Sequence, residues 1–249
     1  YPSMDDHHRA AGYEQPTIEL YRGVAATFLQ QGADGIYAFN WYALAATMDF
    51  ANPPLADRLR RQALCEMGSV DTLVRKDKTF VTQRRGGGGW PETAEHFYGN
   101  TGAFSQLPKA LSNHPSEEVY VFLRVGDDVN AVARDVSGID LRILLSDPAA
   151  AGLPWEEGTH GEPARIAGRS SGDRNGPPAR ALADQLRVRI NGVILERPAV
   201  REGWLIYELR PVQLAHGRNV VAFKLSGRDP QAHERVAVEK VEIDVRYAQ

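Results

Sequence analysis

The chain has 249 residues, of which 43% are hydrophobic and 24% charged, and its formal net charge at pH 7 is -3. This length and composition are typical of a globular protein of one or two domains with a sizeable core. Acidic and basic residues are interleaved along the chain, so it lacks the broad basic field of a nucleic-acid-binding protein. We therefore expect no nucleic-acid partner.

Cys65 is the one cysteine of the sequence, which excludes an internal disulfide and a cysteine-based zinc cluster. We expect it to be a small core residue on a helix. No apolar stretch approaches the roughly 20 residues needed to cross a bilayer, so we expect no membrane span.

The first 15 residues mix Pro, Gly, Asp and His without an apolar period and predict a loop. A helix is predicted from Thr17, a suitable N-cap, to Gly32, because apolar residues recur at a spacing of three and four. Residues 32–41 then predict a buried parallel strand that ends in polar and aromatic side chains. This helix and strand have the pattern of one step of a barrel whose ligand-facing groups lie at the C-terminal ends of its strands.

Further elements are predicted before residue 107. A helix covers residues 55–67, a short strand covers residues 78–82, and the glycines at 86–89 predict a flexible loop rather than a phosphate-binding one. A lone parallel strand leaves backbone groups unpaired on both edges. We therefore expect the strand at Ile36 to lie beside other parallel strands, which a missing segment or another chain would supply.

From about Leu107 onward the sequence predicts an all-β region. Strands are indicated by apolar alternation, and Asn191-Gly192 predicts the two-residue turn of a type I′ hairpin. Residues 146–180 are rich in Gly, Pro, Ala, Ser and Arg and predict a mobile insertion. The predicted strands are 119–125, 139–145, 186–190, 193–195, 205–209 and 220–225.

The last strand changes its apolar phase. Val236 and Val238 occupy even positions, whereas Val241 and the apolar residues after it occupy odd ones, so we predict a β-bulge or break near Glu239 and Lys240. Recurrent turn signals predict an antiparallel sandwich of the jelly-roll kind. The predicted fold is the terminal βα portion of a TIM-type barrel over residues 1–106, followed by a jelly-roll-like β-sandwich over residues 107–249.

A resemblance to a known family lies in residues 17–23, 32–41, 64–73 with 76–78, and 189–192. These stretches resemble a group of bacterial glycoside hydrolases, similar to the family-10-like glycosyl hydrolases, in which a (β/α)8 barrel precedes a C-terminal β-sandwich. The resemblance covers most of the chain apart from residues 146–180. It implies a glycosidase, or its C-terminal part, that acts on a poly- or oligosaccharide.

Such enzymes use a pair of acidic residues at the ends of barrel strands, and we expect those strands to come mainly before Tyr1. Within the sequence, Asp5 and Glu14 are the candidate catalytic carboxylates. The acidic and histidine cluster at residues 5–8 is more typical of a solvated loop than of a metal site. We expect no metal and no cofactor.

The candidate substrate-binding residues are Asn40, Trp41, Tyr42 and His7. Asn40 and Trp41 lie at the C-terminal end of the predicted strand, where an amide can bond to sugar hydroxyls and an indole face can stack on a sugar ring. The alternative is that Trp41 plugs the barrel rim.

Two other classes of function stay open. A non-catalytic carbohydrate-binding module would show exposed aromatic residues in a row on one sheet face. Trp204 and Tyr207 are the nearest candidates, and we expect at least one of them in the core. An assembly subunit would instead form a homo-oligomer that covers the unpaired strand edge.

Overall fold

The computed structural model describes residues 2–5, 17–39, 53–82, 106–107, 109–146, 155–156, 165–166, 179–231 and 236–248. The helices are α1 (Ile18–Gln30), α2 (Pro53–Glu66), α3 (Val70–Leu73) and α4 (Ala179–Gln185), with a 3-10 turn at Pro211–Gln213. The strands are β1 (Ser3–Asp5), β2 (Tyr37–Phe39), β3 (Lys78–Val81), β4 (Lys109–Ala110), β5 (Val119–Val125), β6 (Val136–Ser146), β7 (Trp155–Glu156), β8 (Arg165–Ile166), β9 (Leu186–Ile190), β10 (Val193–Ile194), β11 (Ala199–Arg201), β12 (Trp204–Leu209), β13 (Gly217–Leu225) and β14 (Ala237–Tyr247).

Two antiparallel sheets pack face to face around one hydrophobic core. The four-stranded sheet has the order β10-β9-β13-β5, and the six-stranded sheet has the order β11-β12-β6-β14-β3 with β4 also paired to β14. Alternate residues of each strand point inward, and Val121, Ile143 and Ile243 are fully buried. The structure is thus mostly antiparallel β-sheet, whereas the barrel predicted for residues 1–106 is not confirmed.

Strand β3 lies in the segment that we assigned to the barrel, yet it pairs antiparallel with β14. It forms an edge of the six-stranded sheet, so the sandwich includes a strand that precedes residue 107. Short strands carry little sequence signal about their partners, which here come more than a hundred residues later in the chain. Where the two predicted domains divide stays a prediction.

Helix α1 covers the open side of the sandwich, where it contacts the edge strands β3 and β5. Glycine makes the close approach possible at two points. A Cβ on Gly23 would lie 2.0 Å from the carbonyl oxygen of Thr79, and one on Gly126 would lie 2.4 Å from the backbone of Ala26. Covering these edges with a helix protects their backbone groups from pairing with another chain.

The local signals of the sequence are borne out. Thr17 caps α1 by accepting a hydrogen bond from the backbone N–H of Leu20 at 3.3 Å. Asn191 and Gly192 both have positive φ, at 48° and 85°, as a type I′ turn requires. The register of β14 against β6 shifts between Val238 and Lys240, which confirms the predicted bulge.

The first residues contradict the predicted loop in part, because Ser3–Asp5 forms β1. This strand pairs in parallel with β2, with Met4 opposite Ala38. The strand predicted at Ile36 therefore finds a parallel neighbour in its own chain. The prediction that this strand is buried is wrong, because Tyr37 is 58% exposed and Ile36 and Ala38 are only partly buried. Among the described residues, no second strand lies on its other edge, and a second copy of the chain as cover for that edge stays a prediction.

Cys65 was expected in the core, but it is exposed. The buried side of α2 carries Ala63 and Glu66 instead, and Met67, just after the helix, is buried as well. Cys65 lies two residues from Ala63, which places it on a different side of a helix with 3.6 residues per turn. None of the described helices is long and apolar enough to span a membrane.

Candidate functional site

The site residues predicted from the sequence fall mostly outside the described part of the chain. Asp5 ends β1 and is the Cα partner of Phe39, which ends β2, so the two parallel strands finish side by side. His7, Glu14, Asn40, Trp41 and Tyr42 all lie outside the described residues. The candidate catalytic and substrate-binding roles therefore stay predictions.

Trp204 and Tyr207 lie on opposite sides of β12. Tyr207 is 4% exposed in the core, and burial raises the pKa of its phenol well above the usual range. Trp204 is on the outward side and only partly buried. The expectation that at least one of the two belongs to the core is confirmed for Tyr207.

We call the outward side of the six-stranded sheet the paired face, because its charges form ion pairs with one another. The guanidinium of Arg142 lies 4.5 Å from the centre of the Trp204 ring. The same guanidinium bonds to Asp244 at 3.0 Å and reaches Glu242 at 3.5 Å. Lys240 lies 5.9 Å from the same ring. The aromatic and charged residues of this face are Trp204, Asp140, Arg142, Arg201, Glu208, Lys240, Glu242, Asp244 and Arg246.

Charges on the paired face are balanced. Its cations are Arg142, Arg201, Lys240 and Arg246, and its carboxylates are Asp140, Glu208, Glu242 and Asp244. Arg246 bonds to Asp140 at 2.8 Å. Burial raises the pKa of Glu242 above its ordinary value, even though Arg142 and Lys240 act in the opposite direction. Arg142 and Arg246 are therefore committed to the three carboxylates Asp140, Glu242 and Asp244.

The outward side of the four-stranded sheet is different, and we call it the aromatic face. Tyr120 and Phe122 are two residues apart on β5, so both rings point outward, and they are 44% and 37% exposed. These are exposed aromatic residues in a row on one sheet face, the feature that a carbohydrate-binding module would show. The residues of this face are Tyr120, Phe122, Arg124, Arg187, Arg189, Arg218, Val220, Ala222 and Lys224.

The backbone beneath the two rings is held in place. β5 is an edge strand, and the side chain of Gln106 takes the position of a further strand beside it. The Gln106 amide accepts from the N–H of Phe122 at 2.7 Å and donates to its carbonyl at 2.8 Å. Lys109 donates to the carbonyl of Tyr120 at 2.8 Å. The rings therefore project from a rigid edge.

Cations surround the rings. The guanidinium of Arg218 lies 3.9 Å from the centre of the Phe122 ring. Arg218 also stands directly opposite Arg124 in the antiparallel register. Across the same sheet, Lys224 stands directly opposite Arg187. Like charges in such positions repel each other.

Among the described residues, one carboxylate bonds to side chains of the aromatic face. Glu118 forms an ion pair with Arg189 and accepts the hydroxyl hydrogen bond of Tyr120 at 2.9 Å. This hydrogen bond and the charge of Glu118 raise the pKa of Tyr120. Within the described part of the chain, the structure gives no ion pair for Arg124, Arg187, Arg218 or Lys224.

Buried ion pairs elsewhere hold the sandwich together. The ammonium group of Lys78 is fully buried, pairs with Asp127 at 2.8 Å and donates to the carbonyl of Leu73 at 2.6 Å. Tyr247 donates to the same carboxylate at 2.6 Å. Burial lowers the pKa of Lys78, although Asp127 acts in the opposite direction. Lys78, Asp127 and Tyr247 bond to one another and to the backbone. We therefore assign this cluster a structural role.

A second internal network joins α1 to α2. Arg22 bonds to Glu66 at 2.6 Å, and Lys76 bonds to the same carboxylate at 2.8 Å. Burial alone would raise the pKa of Glu66, but the hydrogen bonds from Arg22, Lys76 and Gln62 outweigh it and lower the pKa to about 2. Across the described residues, no group of three or more His, Cys, Asp or Glu side chains is arranged to hold a metal ion.

The aromatic face is the candidate site that sequence reasoning missed. The alternation of residues 119–125 does mark Tyr120, Phe122 and Arg124 as one outward row. The candidates named from the sequence for an exposed aromatic row are Trp204 and Tyr207 instead. The cations that complete the site lie on β9 and β13, and only the strand register shows which of them stand beside the rings.

No protein-family model matches the chain, and no curated protein matches it. Among solved structures, it has a weak similarity to a beta-porphyranase of glycoside hydrolase family 86 from the human gut bacterium Bacteroides plebeius. The two share 10% sequence identity at a TM-score of 0.37, over 70% of this chain and 21% of that chain. The chain thus spans about a fifth of that protein's length, and we draw no inference about activity from a similarity of this size.

Proposed function

We propose that the chain is the carbohydrate-binding, C-terminal part of a glycoside hydrolase, and that it holds a poly- or oligosaccharide on the aromatic face. The observation that carries this proposal is the exposed row of Tyr120 and Phe122 on β5. The apolar face of a sugar ring stacks on an aromatic ring, and two rings on one strand can hold successive sugars of a chain.

The surroundings of the two rings support the same role. The strand spacing places Tyr120 and Phe122 about 7 Å apart along β5. Gln106 holds the backbone N–H and carbonyl of Phe122, and Lys109 holds the carbonyl of Tyr120. A rigid site loses little conformational entropy when a ligand binds. Arg218, stacked on Phe122, offers N–H donors to the hydroxyl groups at the rim of a stacked sugar.

The proposal is tested by measuring the affinity of the chain for a panel of soluble polysaccharides by affinity electrophoresis. Phe122→Ala and Tyr120→Ala remove the stacking surface, and we expect each to weaken binding about tenfold or more. Trp204→Ala is the matched control, because it removes an aromatic residue from the outward side of the other sheet. We expect it to leave binding within about twofold, since a residue outside an interface contributes little.

Two results would contradict the proposal. One is the failure of the wild-type chain to bind any polysaccharide of the panel. The other is binding that survives both aromatic substitutions. Circular dichroism on each variant, at the temperature of the binding assay, establishes that the sandwich is folded.

A second candidate function is glycoside hydrolysis by the chain itself. It is favoured by the parallel pairing of β1 with β2, because Asp5 and Phe39 end these strands side by side. Ligand-facing groups of barrel enzymes lie at such strand ends. On this proposal Asp5 and Glu14 supply the carboxylates, and Asn40, Trp41, Tyr42 and His7 contact the sugar.

Asp5→Asn and Glu14→Gln keep the shape of each side chain while removing its charge. We expect each to lower the rate of sugar release from a glycan panel by a factor of about 100 or more, the range for a lost acid or base. Glu19→Gln, on α1, is the control and should leave the rate unchanged. Two results would refute catalysis by these residues. One is absence of hydrolysis by the wild-type chain, and the other is a rate of sugar release in Asp5→Asn and Glu14→Gln equal to that of the Glu19→Gln control.

A further inference from the structure

We infer that the saccharide held on the aromatic face is anionic, a polysaccharide that carries carboxylate or sulfate groups. This inference rests on the proposed carbohydrate-binding function of the same face. It is carried by the cations that stand around Tyr120 and Phe122 and by their arrangement in like-charged pairs.

The register of the strands places four cations of the aromatic face in two like-charged pairs. Arg124 on β5 stands directly opposite Arg218 on β13, and Lys224 on β13 stands directly opposite Arg187 on β9. Side chains in directly opposite positions have Cβ atoms about 5 Å apart, and like charges there are unfavourable. An anion placed between the members of such a pair turns this repulsion into two attractions.

The spacing of the two pairs follows from their positions on β13. Arg218 and Lys224 are six residues apart on one strand, so the two cation pairs are separated by about 20 Å at roughly 3.4 Å per residue. Phe122 and Tyr120 lie between them, opposite Val220 and Ala222. Along the direction of β13 the face therefore presents a cation pair shared with β5, the two rings on β5, and a cation pair shared with β9. This order suits an extended chain with repeated charges.

The cations of these pairs differ from a cation that already has a partner. Arg189, on the same face, is neutralised by Glu118. In the described residues the structure gives Arg124, Arg187, Arg218 and Lys224 no carboxylate. A guanidinium presents a planar fork of donors that fits carboxylate and sulfate oxygens in pairs. These four cations can thus bind ligand anions without first breaking an ion pair.

A single-stranded nucleic acid is also a polyanion with flat rings. The chain has a formal net charge of -3, and the four cations form two separated pairs rather than a continuous track. A nucleic-acid backbone places a phosphate at every nucleotide and favours a continuous basic groove. We therefore assign the face to a glycan and use a nucleic acid as a competitor in the test.

The test measures binding to polymers that differ in charge on one backbone. Polygalacturonate is compared with its methyl ester, and dextran sulfate with dextran, which distinguishes carboxylate from sulfate as the recognised group. A poly(dT) oligonucleotide is the third arm. We expect the wild-type chain to bind one of the two charged polysaccharides about tenfold or more tightly than its neutral match, and to lose this preference in high salt.

The deciding variant is the double substitution Arg124→Gln and Arg218→Gln. We expect it to reduce the preference for the charged polymer to about twofold or less, because the bidentate charged contacts are lost. The matched control is Arg134→Gln with Arg201→Gln, which removes the same charge from exposed positions outside the aromatic face. It should keep the preference.

The outcomes separate the two proposals. Binding that depends on Phe122 without any preference for charged polymers overturns the anionic inference and leaves the carbohydrate-binding function standing. Absence of binding to every polysaccharide overturns both. Binding to poly(dT) as tight as to the charged polysaccharides overturns the assignment to a glycan.

Discussion

The two outward faces of the sandwich differ in whether opposite charges offset their like-charged cross-strand pairs. On the paired face, Asp140 stands directly opposite Asp244 and Glu208, but Arg246 bonds to Asp140 and Arg142 bonds to Asp244. On the aromatic face, Arg124 stands opposite Arg218 in a like-charged pair. Oppositely charged cross-strand neighbours stabilise a sheet, and like-charged neighbours weaken it. The difference supports the proposal that the aromatic face retains its charges for a ligand.

The arginines stacked on the aromatic rings of the two faces differ in the same way. Trp204 and Phe122 each have an arginine stacked on the ring, at 4.5 Å and 3.9 Å. Arg142 is tied to carboxylates, whereas Arg218 has none in the described residues. A ligand that displaces Arg142 from Trp204 would have to break two ion pairs. A ligand that stacks on the face of Phe122 covered by Arg218 displaces this guanidinium but breaks no ion pair given by the described residues.

The largest effect that distinguishes the faces is expected from removing an arginine. Arg142→Ala leaves Glu242 and Asp244 without their shared cation, and we expect a loss of about 2 kcal/mol in the free energy of unfolding. Arg124→Ala on the aromatic face removes a cation with a like-charged neighbour and should change stability by less than about 0.5 kcal/mol. Urea denaturation of both variants checks this, and equal losses would contradict the comparison.

The loss caused by Arg142→Ala should also depend on pH. Burial raises the pKa of Glu242 in the folded protein, so the folded state binds this proton more tightly than the unfolded state. A carboxyl group of this kind destabilises the fold as the pH rises through its folded pKa. Without Arg142 the folded pKa rises further. The difference between variant and wild type should therefore be larger at pH 7 than at pH 4.

The local parts of this architecture were predictable from the sequence. The hairpin turn at Asn191 and Gly192 and the phase change near Lys240 were both correctly located. Each depends on a signal within a few residues, either a turn that needs positive φ or a side-chain period of two. The turn and the β-bulge both form where the local sequence pattern predicts them.

The parts that depend on distant partners were not predictable. β1 is three residues long in a segment rich in polar residues, and it is a strand because it pairs with β2. β3 joins the sandwich through β14, far along the chain. The candidate site has the same origin, since the pattern of β5 gives the rings but not the arginine on β13 that stacks on one of them. The pairing of strands that lie far apart in the chain leaves no periodic pattern in the local sequence from which it could be predicted.

The smallest effect, and the sharpest test of the comparison, comes from reversing one charge on each face. Lys224→Glu converts the like-charged pair with Arg187 into an opposite-charged one, so we expect it to stabilise the sandwich by about 0.5 kcal/mol. Lys240→Glu places a third carboxylate beside Glu242 and Asp244 and removes a cation from Trp204, so we expect a loss of about 0.5 to 1 kcal/mol. Both substitutions change the net charge of the chain equally, so a general effect of charge would move the two variants in the same direction.

Thermal unfolding of both variants is the measurement. Unfolding temperatures that shift the same way in both would show that the two faces do not differ. Opposite shifts, together with weaker binding of the charged polysaccharide by Lys224→Glu, would show that the aromatic face gives up stability for a ligand.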